Sequence, residues 1–161
     1  MTSKERVLQR EHDRGKPIGK VQGRADALDL AARAPGMDGT AIIAEENHIP
    51  AYSATADYSK QKAGIPVQDD GQVWLLLQPH NAAHYTGRPA TLRALWGLAH
   101  TKDPAKAKPW VAPYGTSGLY RIDEVCTRNG HVWRNLWDNN EYPPETLNVE
   151  SRWEDLGEVP A

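Results

Sequence analysis

Six tryptophans and six tyrosines, with no phenylalanine at all, are the side chains of this 161-residue chain best placed to do chemistry. Trp110 and Trp137 sit in polar surroundings, where an indole either offers its flat face to a ligand or closes a junction between units. Tyr114, beside Pro113, and Tyr142, beside Pro143, are secondary rings of the same kind. Asp138, Asn139 and Asn140 provide paired donors and acceptors for ligand hydroxyls, although such a run is equally suited to building a turn. Catalysis has less to work with. Cys126 and His131 are the one nucleophile–base pairing on offer, and only if the strand register makes them face each other. Asp69-Asp70 and Glu154-Asp155 read as turn and surface carboxylates, not as the opposed pair a glycosidase needs. His80 and His84 have no third metal ligand nearby except His100. The expectation is a binding protein, not an enzyme, with no catalytic residue, no metal and no cofactor.

The elements that position these residues are announced by a repeat. Asp70-Gly71-Gln72-Val73-Trp74 recurs as Asn129-Gly130-His131-Val132-Trp133, an offset of 59 residues from Val73 to Val132. The flanks follow: Tyr58 and Tyr120, Val67 and Val125, Asn81 and Asn140, then a closing tryptophan, Trp96 after a leucine and Trp153 after an arginine. Self-similarity at such a period predicts a duplicated structural unit. In each copy a β-rich run, an Asp-Gly or Asn-Gly turn and a second β-rich run predict a hairpin. Trp74, Trp133, Trp96 and Trp153 occupy equivalent positions, which predicts core duty, whereas Trp110 and Trp137 have no counterpart in the first unit. Leu92, Leu95, Trp96 and Ala99 have helical spacing, so a short helix is expected over 91–100.

Charge and length bound the partners. The chain carries 19 basic and 21 acidic side chains, divided as 8 and 8 over 1–48, 6 and 4 over 49–106, and 5 and 9 over 107–161. That balance argues against nucleic acid and anionic membranes. No apolar run approaches a membrane span, the N-terminus lacks a signal-peptide core, and Cys126 is the single cysteine, so assembly in a cytoplasm is expected.

Residues 1–48 read differently from the rest. Thr2 with Glu5 predicts a capped, charged helix to about Arg14, and Gly15, Pro17 and Gly19 interrupt it. A second helix is expected from Val21 to Ala34, ended by Pro35-Gly36, and a short third one over Ala41–Glu46 capped by Asp38 or Thr40. This thin, alanine-rich stripe either folds onto its own chain or serves for docking and oligomerisation. The fold class is therefore α+β: an N-terminal helical arm (1–48), then two small, mainly antiparallel β modules in tandem (49–106 and 107–161).

The order Trp110, Tyr120, Asp123-Glu124-Val125, Asn129-Gly130-His131-Val132-Trp133, Trp137, Pro143 and Trp153 resembles the small chitin-binding type of carbohydrate-binding module found on bacterial chitinases and cellulases. Over nearly the whole chain, Ile49-Pro50-Ala51-Tyr52, Leu77-Gln78-Pro79-His80-Asn81 and Trp133 with Asp138-Asn139-Asn140 resemble tailed-phage and prophage tail-associated proteins carrying two such modules behind a helical arm. The resemblance implies a virion location in the tail, with other tail proteins as partners of the arm, a homo-oligomer, and contact with host-surface polysaccharide. Trp110, Trp137, Tyr114, Tyr142, Asp138, Asn139 and Asn140 would then be the carbohydrate-binding residues. The alternatives are a soluble or appended adhesin module, or a binding subunit of a lytic glycosidase. Two departures stand out: Trp137 is followed by Asp138 where the family presents adjacent aromatics, and the first unit has Leu76, Leu77 and Gln78 in that region.

Overall fold

The computed structural model describes residues 17–147 and 150–161, with side chains over 22–147 and 151–161. The helix expected over 2–14 lies outside the described residues. Helix α1 (Pro17–Arg33) opens on a proline, whose missing N–H costs nothing at a helix start. A short 3-10 turn (Ala34–Gly36) ends it, and helix α2 (Gly39–Ala44) follows, capped by the Asp38 carboxylate, which accepts from the Ala41 N–H at 2.8 Å.

The first sheet is antiparallel, in the order β1 (Pro66–Asp69), β2 (Gln72–Leu76), β3 (Trp96–Leu98). Asp70 and Gly71 both take positive φ, 51° and 73°, which is what a two-residue turn between twisted strands requires. Side chains alternate across β2 and both faces are covered. Trp74 and Leu76 join Tyr52, Tyr58, Val67 and Trp96 in one core. Val73, on the opposite face, joins Leu30, Ala34, Ile42, Ile43 and Ile49, so the helical stretch from Leu30 onward packs on its own chain.

The second sheet has the order β4 (Lys108–Pro109), β5 (Val125–Arg128), β6 (His131–Asn135), β7 (Trp153–Glu158), parallel only between β4 and β5. Its turn repeats the backbone of the first, with Asn129 at φ 52° and Gly130 at 79°. Register repeats too. Val67 faces Trp74 and Cys126 faces Trp133, while Leu76 faces Trp96 and Asn135 faces Trp153. Tyr58 stands edge-on to Trp96 at 5.2 Å, and Tyr120 to Trp153 at 5.2 Å. The second core is smaller, with Tyr120, Cys126 and Trp153 buried and Trp110 and Trp133 packed against them.

Two expectations are corrected. The region 91–100 is not a helix. A single turn survives, Trp96 N–H to Leu92 carbonyl at 3.0 Å, and then β3 forms. The open edge of β2 provides hydrogen bonds and a core slot for Trp96, and those outweigh a weak helical pattern. Nor is Trp110 unmatched in the first unit. Its N–H donates to the Thr127 carbonyl at 3.0 Å just as that of Tyr52 donates to Gln68 at 2.7 Å, and Thr127 and Gln68 occupy equivalent hairpin positions.

The two sheets are joined by specific contacts. Gln72 Nε2 donates to the Pro109 carbonyl at 2.8 Å, and Arg93 Nη1 to Ala112 at 2.9 Å. Glu46, from the helical stretch, receives Lys106 Nζ at 3.2 Å and Lys108 Nζ at 2.6 Å. The whole is α+β, short helices with sheets of three and four strands. Among the described residues no helix is long and apolar enough to cross a membrane.

Candidate ligand-binding surface

Beyond β6 the chain makes a tight loop from Leu136 to Tyr142, and two buried asparagines shape it. Asn135 Nδ2 donates to the Arg121 carbonyl at 2.8 Å and also to that of Trp137. Its Oδ1 accepts from the Trp137 N–H at 3.3 Å and from Asn140 Nδ2 at 2.8 Å. Asn140 Oδ1 in turn accepts from the Tyr142 N–H at 3.0 Å, and the Asn140 backbone bridges to Tyr120. Two amides thus satisfy loop backbone that no strand pairs, which is the condition for burying them. Asn140, expected among the sugar-binding residues, is fully buried with its amide committed inside the protein. It shapes the surface from below.

With the backbone at Trp137 and Tyr142 pinned from below, both rings reach the surface, at 48% and 36% exposure. A third group joins them. Arg152 places its Cζ 4.2 Å from the Trp137 ring centroid and 5.0 Å from that of Tyr142. Its position is set by backbone: the Leu136 N–H donates to the Arg152 carbonyl at 2.8 Å, and Trp153 Nε1 donates to the Tyr142 carbonyl at 2.8 Å. The result is two half-exposed aromatics bridged by a planar cation. Asp138 lies at the rim, its carboxylate 2.7 Å from Arg121 Nε, and the exposed Asn139 makes the turn at φ 53°.

The other two expected rings stand elsewhere. Trp110 is half-buried against Tyr120 and Trp153, with Arg128 Cζ 5.5 Å from its centroid. Tyr52, which makes the equivalent backbone bond to the first sheet, likewise has Arg88 Cζ at 5.8 Å, so an arginine flanks the ring beside each sheet. Tyr114 is 58% exposed at the head of a turn closed by reciprocal 2.9 Å hydrogen bonds with Ser117. Neither ring contacts the Trp137 cluster.

Arg152 is the residue that sequence reasoning did not select. The signal was present, because Arg152 precedes the closing Trp153 where Leu95 precedes Trp96. The closing tryptophan thus follows a charge in the second sheet and an apolar residue in the first. Gln78 stands where the offset of 59 places the partner of Trp137, so the cluster is confined to the second sheet.

The remaining chemical groups are separated. Cys126 is buried opposite Trp133, and burial pushes its thiol up to about 12. His131 pairs across the hairpin with Arg128, and its Nδ1 lies 2.9 Å from Asp155. That carboxylate raises the His131 pKa. The thiol and the imidazole are not brought together. His80 is buried among rings, edge-on to Trp96 at 5.5 Å and hydrogen-bonded through Nδ1 to the Gln78 carbonyl. A shallow groove of about 490 Å³ runs past Asp69, Gly87 and Arg88. The Arg88 guanidinium and the buried Asp69 carboxylate already satisfy each other there.

Compared with known proteins, the chain matches no family model and has no significant match among curated proteins.

Proposed function

We propose that this is a non-enzymatic structural protein of a phage tail, and that it contacts host-surface polysaccharide through Trp137 and Tyr142. In this reading residues 49–106 and 107–161 are tandem copies of one chitin-binding-like module, and residues 1–48 form a docking and oligomerisation arm. The recurrence of register, turn conformation and Tyr–Trp geometry at one offset supports the duplication. The observation that carries the binding role is the half-exposed Trp137–Arg152–Tyr142 cluster, held from below by buried amides and present in the second unit only. Sugar rings lie on such faces through apolar contact, and the comparable stacking of bases yields about 1–3 kcal/mol per ring. Two rings leave one site weak, and an oligomer would offset this by avidity. Because Leu30, Ile42 and Ile43 are held by the first sheet, docking falls to the residues ahead of them and to the outer face of α1, where Leu28 is exposed.

Pull-down on chitin, peptidoglycan and host cell wall tests the binding role. The wild-type chain should be retained on at least one of these, and a Trp137→Ala/Tyr142→Ala variant should be lost from it. Equal retention of the two would remove the site. Sedimentation tests the assembly role: the full chain should be a symmetric oligomer, and a chain that lacks residues 1–16 and carries Leu28→Glu a monomer. A full chain that stays monomeric yet binds would favour the adhesin.

A further inference from the structure

The Arg152 guanidinium carbon lies over the rings of Trp137 and Tyr142, and a cation over an aromatic face keeps N–H donors that the ring cannot satisfy. A neutral sugar needs ring faces and hydroxyl partners, and a stationed cation adds nothing essential to that. The edge of a guanidinium suits a carboxylate or a phosphate, which it holds with two parallel hydrogen bonds. Arginines close by are already committed: Arg134 lies 3.0 Å from Glu154, and Arg121 is 2.7 Å from Asp138. The Arg121 pairing also neutralises the acid nearest Trp137 along the chain. Among the described residues, no carboxylate pairs with Arg152.

We propose that the second unit selects an anionic glycan, with a sugar ring on Trp137 and its acidic group on the edge of Arg152. The proposal rests on reading Trp137 and Tyr142 as a glycan surface, and it assigns that surface a ligand class. The unit is acidic overall, which would repel a polyanion at long range. Recognition is therefore local, at one cation beside two rings, and not a diffuse basic field. Corresponding positions of the first unit hold Leu95 and Gln78, so that unit would not share the preference.

Calorimetric titration of the full chain with three probes tests this: a galacturonate hexamer, an N-acetylglucosamine hexamer and a poly(N-acetylglucosamine 1-phosphate) polymer. An anionic probe should bind on the order of tenfold or more tightly than the neutral hexamer, as expected of a charge-assisted pair. That preference should shrink in high salt. Arg152→Gln should bring the anionic probes down to the affinity of the neutral hexamer, read as the ratio of the two affinities within that variant, and an unchanged thermal midpoint would show that the variant is folded. Preference for the galacturonate identifies a carboxylate ligand; preference for the phosphate polymer identifies a phosphate one. If the neutral hexamer binds as tightly as both anions and Arg152→Gln changes nothing, the anionic assignment is overturned while the glycan surface stands. If no probe is bound, or if binding survives Trp137→Ala undiminished, the glycan surface itself fails and this inference with it.

Discussion

His100 lies flat on Tyr120, ring centroids 3.7 Å apart and 21° from parallel. His100 follows the last strand of the first sheet, and Tyr120 is the buried ring beneath Trp153 in the second, so this stack couples the two cores. His100 Nε2 lies 2.8 Å from the Gly118 carbonyl. Burial lowers the His100 pKa to about 4, and neighbouring Arg93 pushes the same way, against the Gly118 hydrogen bond. The folded protein therefore binds fewer protons than the unfolded chain between about pH 6.5 and 4. Stability should be full above pH 6.5 and should decline as pH falls toward 4. Between pH 7 and 5 the loss should reach at most about 2 kcal/mol, trimmed by the exposure the residue retains. Urea unfolding at both pH values would show it, and His100→Asn should flatten that segment of the curve.

Glu46 titrates in a different window. Burial alone would raise its carboxyl, but hydrogen bonds from Lys108 and Lys106 outweigh this and hold it below the usual range. Its contribution is present above the ordinary carboxylate pKa and is lost in stronger acid, as pH falls through the depressed value. Glu46→Gln should cost about 1 kcal/mol at pH 7, since the three groups are only partly shielded from water. The difference from wild type should vanish at low pH, which the same unfolding series would report.

Asn135 occupies the strand position that Leu76 fills in the first sheet, yet it cannot be exchanged for leucine. Either Asn135→Ala or Asn135→Leu would take the acceptor from the buried Asn140 amide and from the Trp137 N–H, and would leave the Arg121 carbonyl with the Glu124 N–H alone. A loss of about 2–4 kcal/mol is expected for each. Because the same amide holds the Trp137 backbone, glycan retention should fall as well, even where the variant is still folded.

Gly39 opens α2 directly under the His100 backbone, and a Cβ there would overlap the His100 carbonyl oxygen. Gly39→Ala should cost about 1–3 kcal/mol, because backbone has to move to admit the methyl group. Gly23, on α1, has no atom within 4 Å of a added Cβ. Gly23→Ala should instead stabilise by about 0.5–1 kcal/mol through helix propensity. Thermal midpoints of the two variants should move in opposite directions.

Much of the fold was legible in the residues themselves. The Asp70-Gly71 and Asn129-Gly130 turns with their flanking strands follow from which residues tolerate positive φ and from period-two apolarity, both local properties. The start of α2 at Asp38 is local in the same way. Trp96 was different. Its helical spacing was real, but the unpaired edge of β2 lay some twenty residues away in sequence, and pairing with that edge outweighed the local pattern. The pairing of Tyr52 with Trp110 was likewise hidden, because it is expressed in backbone hydrogen bonds to the two hairpins and not in shared residue type.

The candidate surface divides along the same line. Composition marked Trp137 and Tyr142 as rings in a polar stretch, which is a statement about residue type. Only tertiary structure sent Asn140 inward while its neighbour Asn139 stayed exposed, because the Asn140 backbone pairs with Tyr120 and its amide is taken by the Asn135 side chain and the Tyr142 N–H. Only tertiary structure carried Arg152, in the turn before β7, across to lie over the two rings. Residue type determines what a side chain can bind, whereas burial and neighbours are set by chain segments far apart in sequence, and they decide which side chains remain available to bind it.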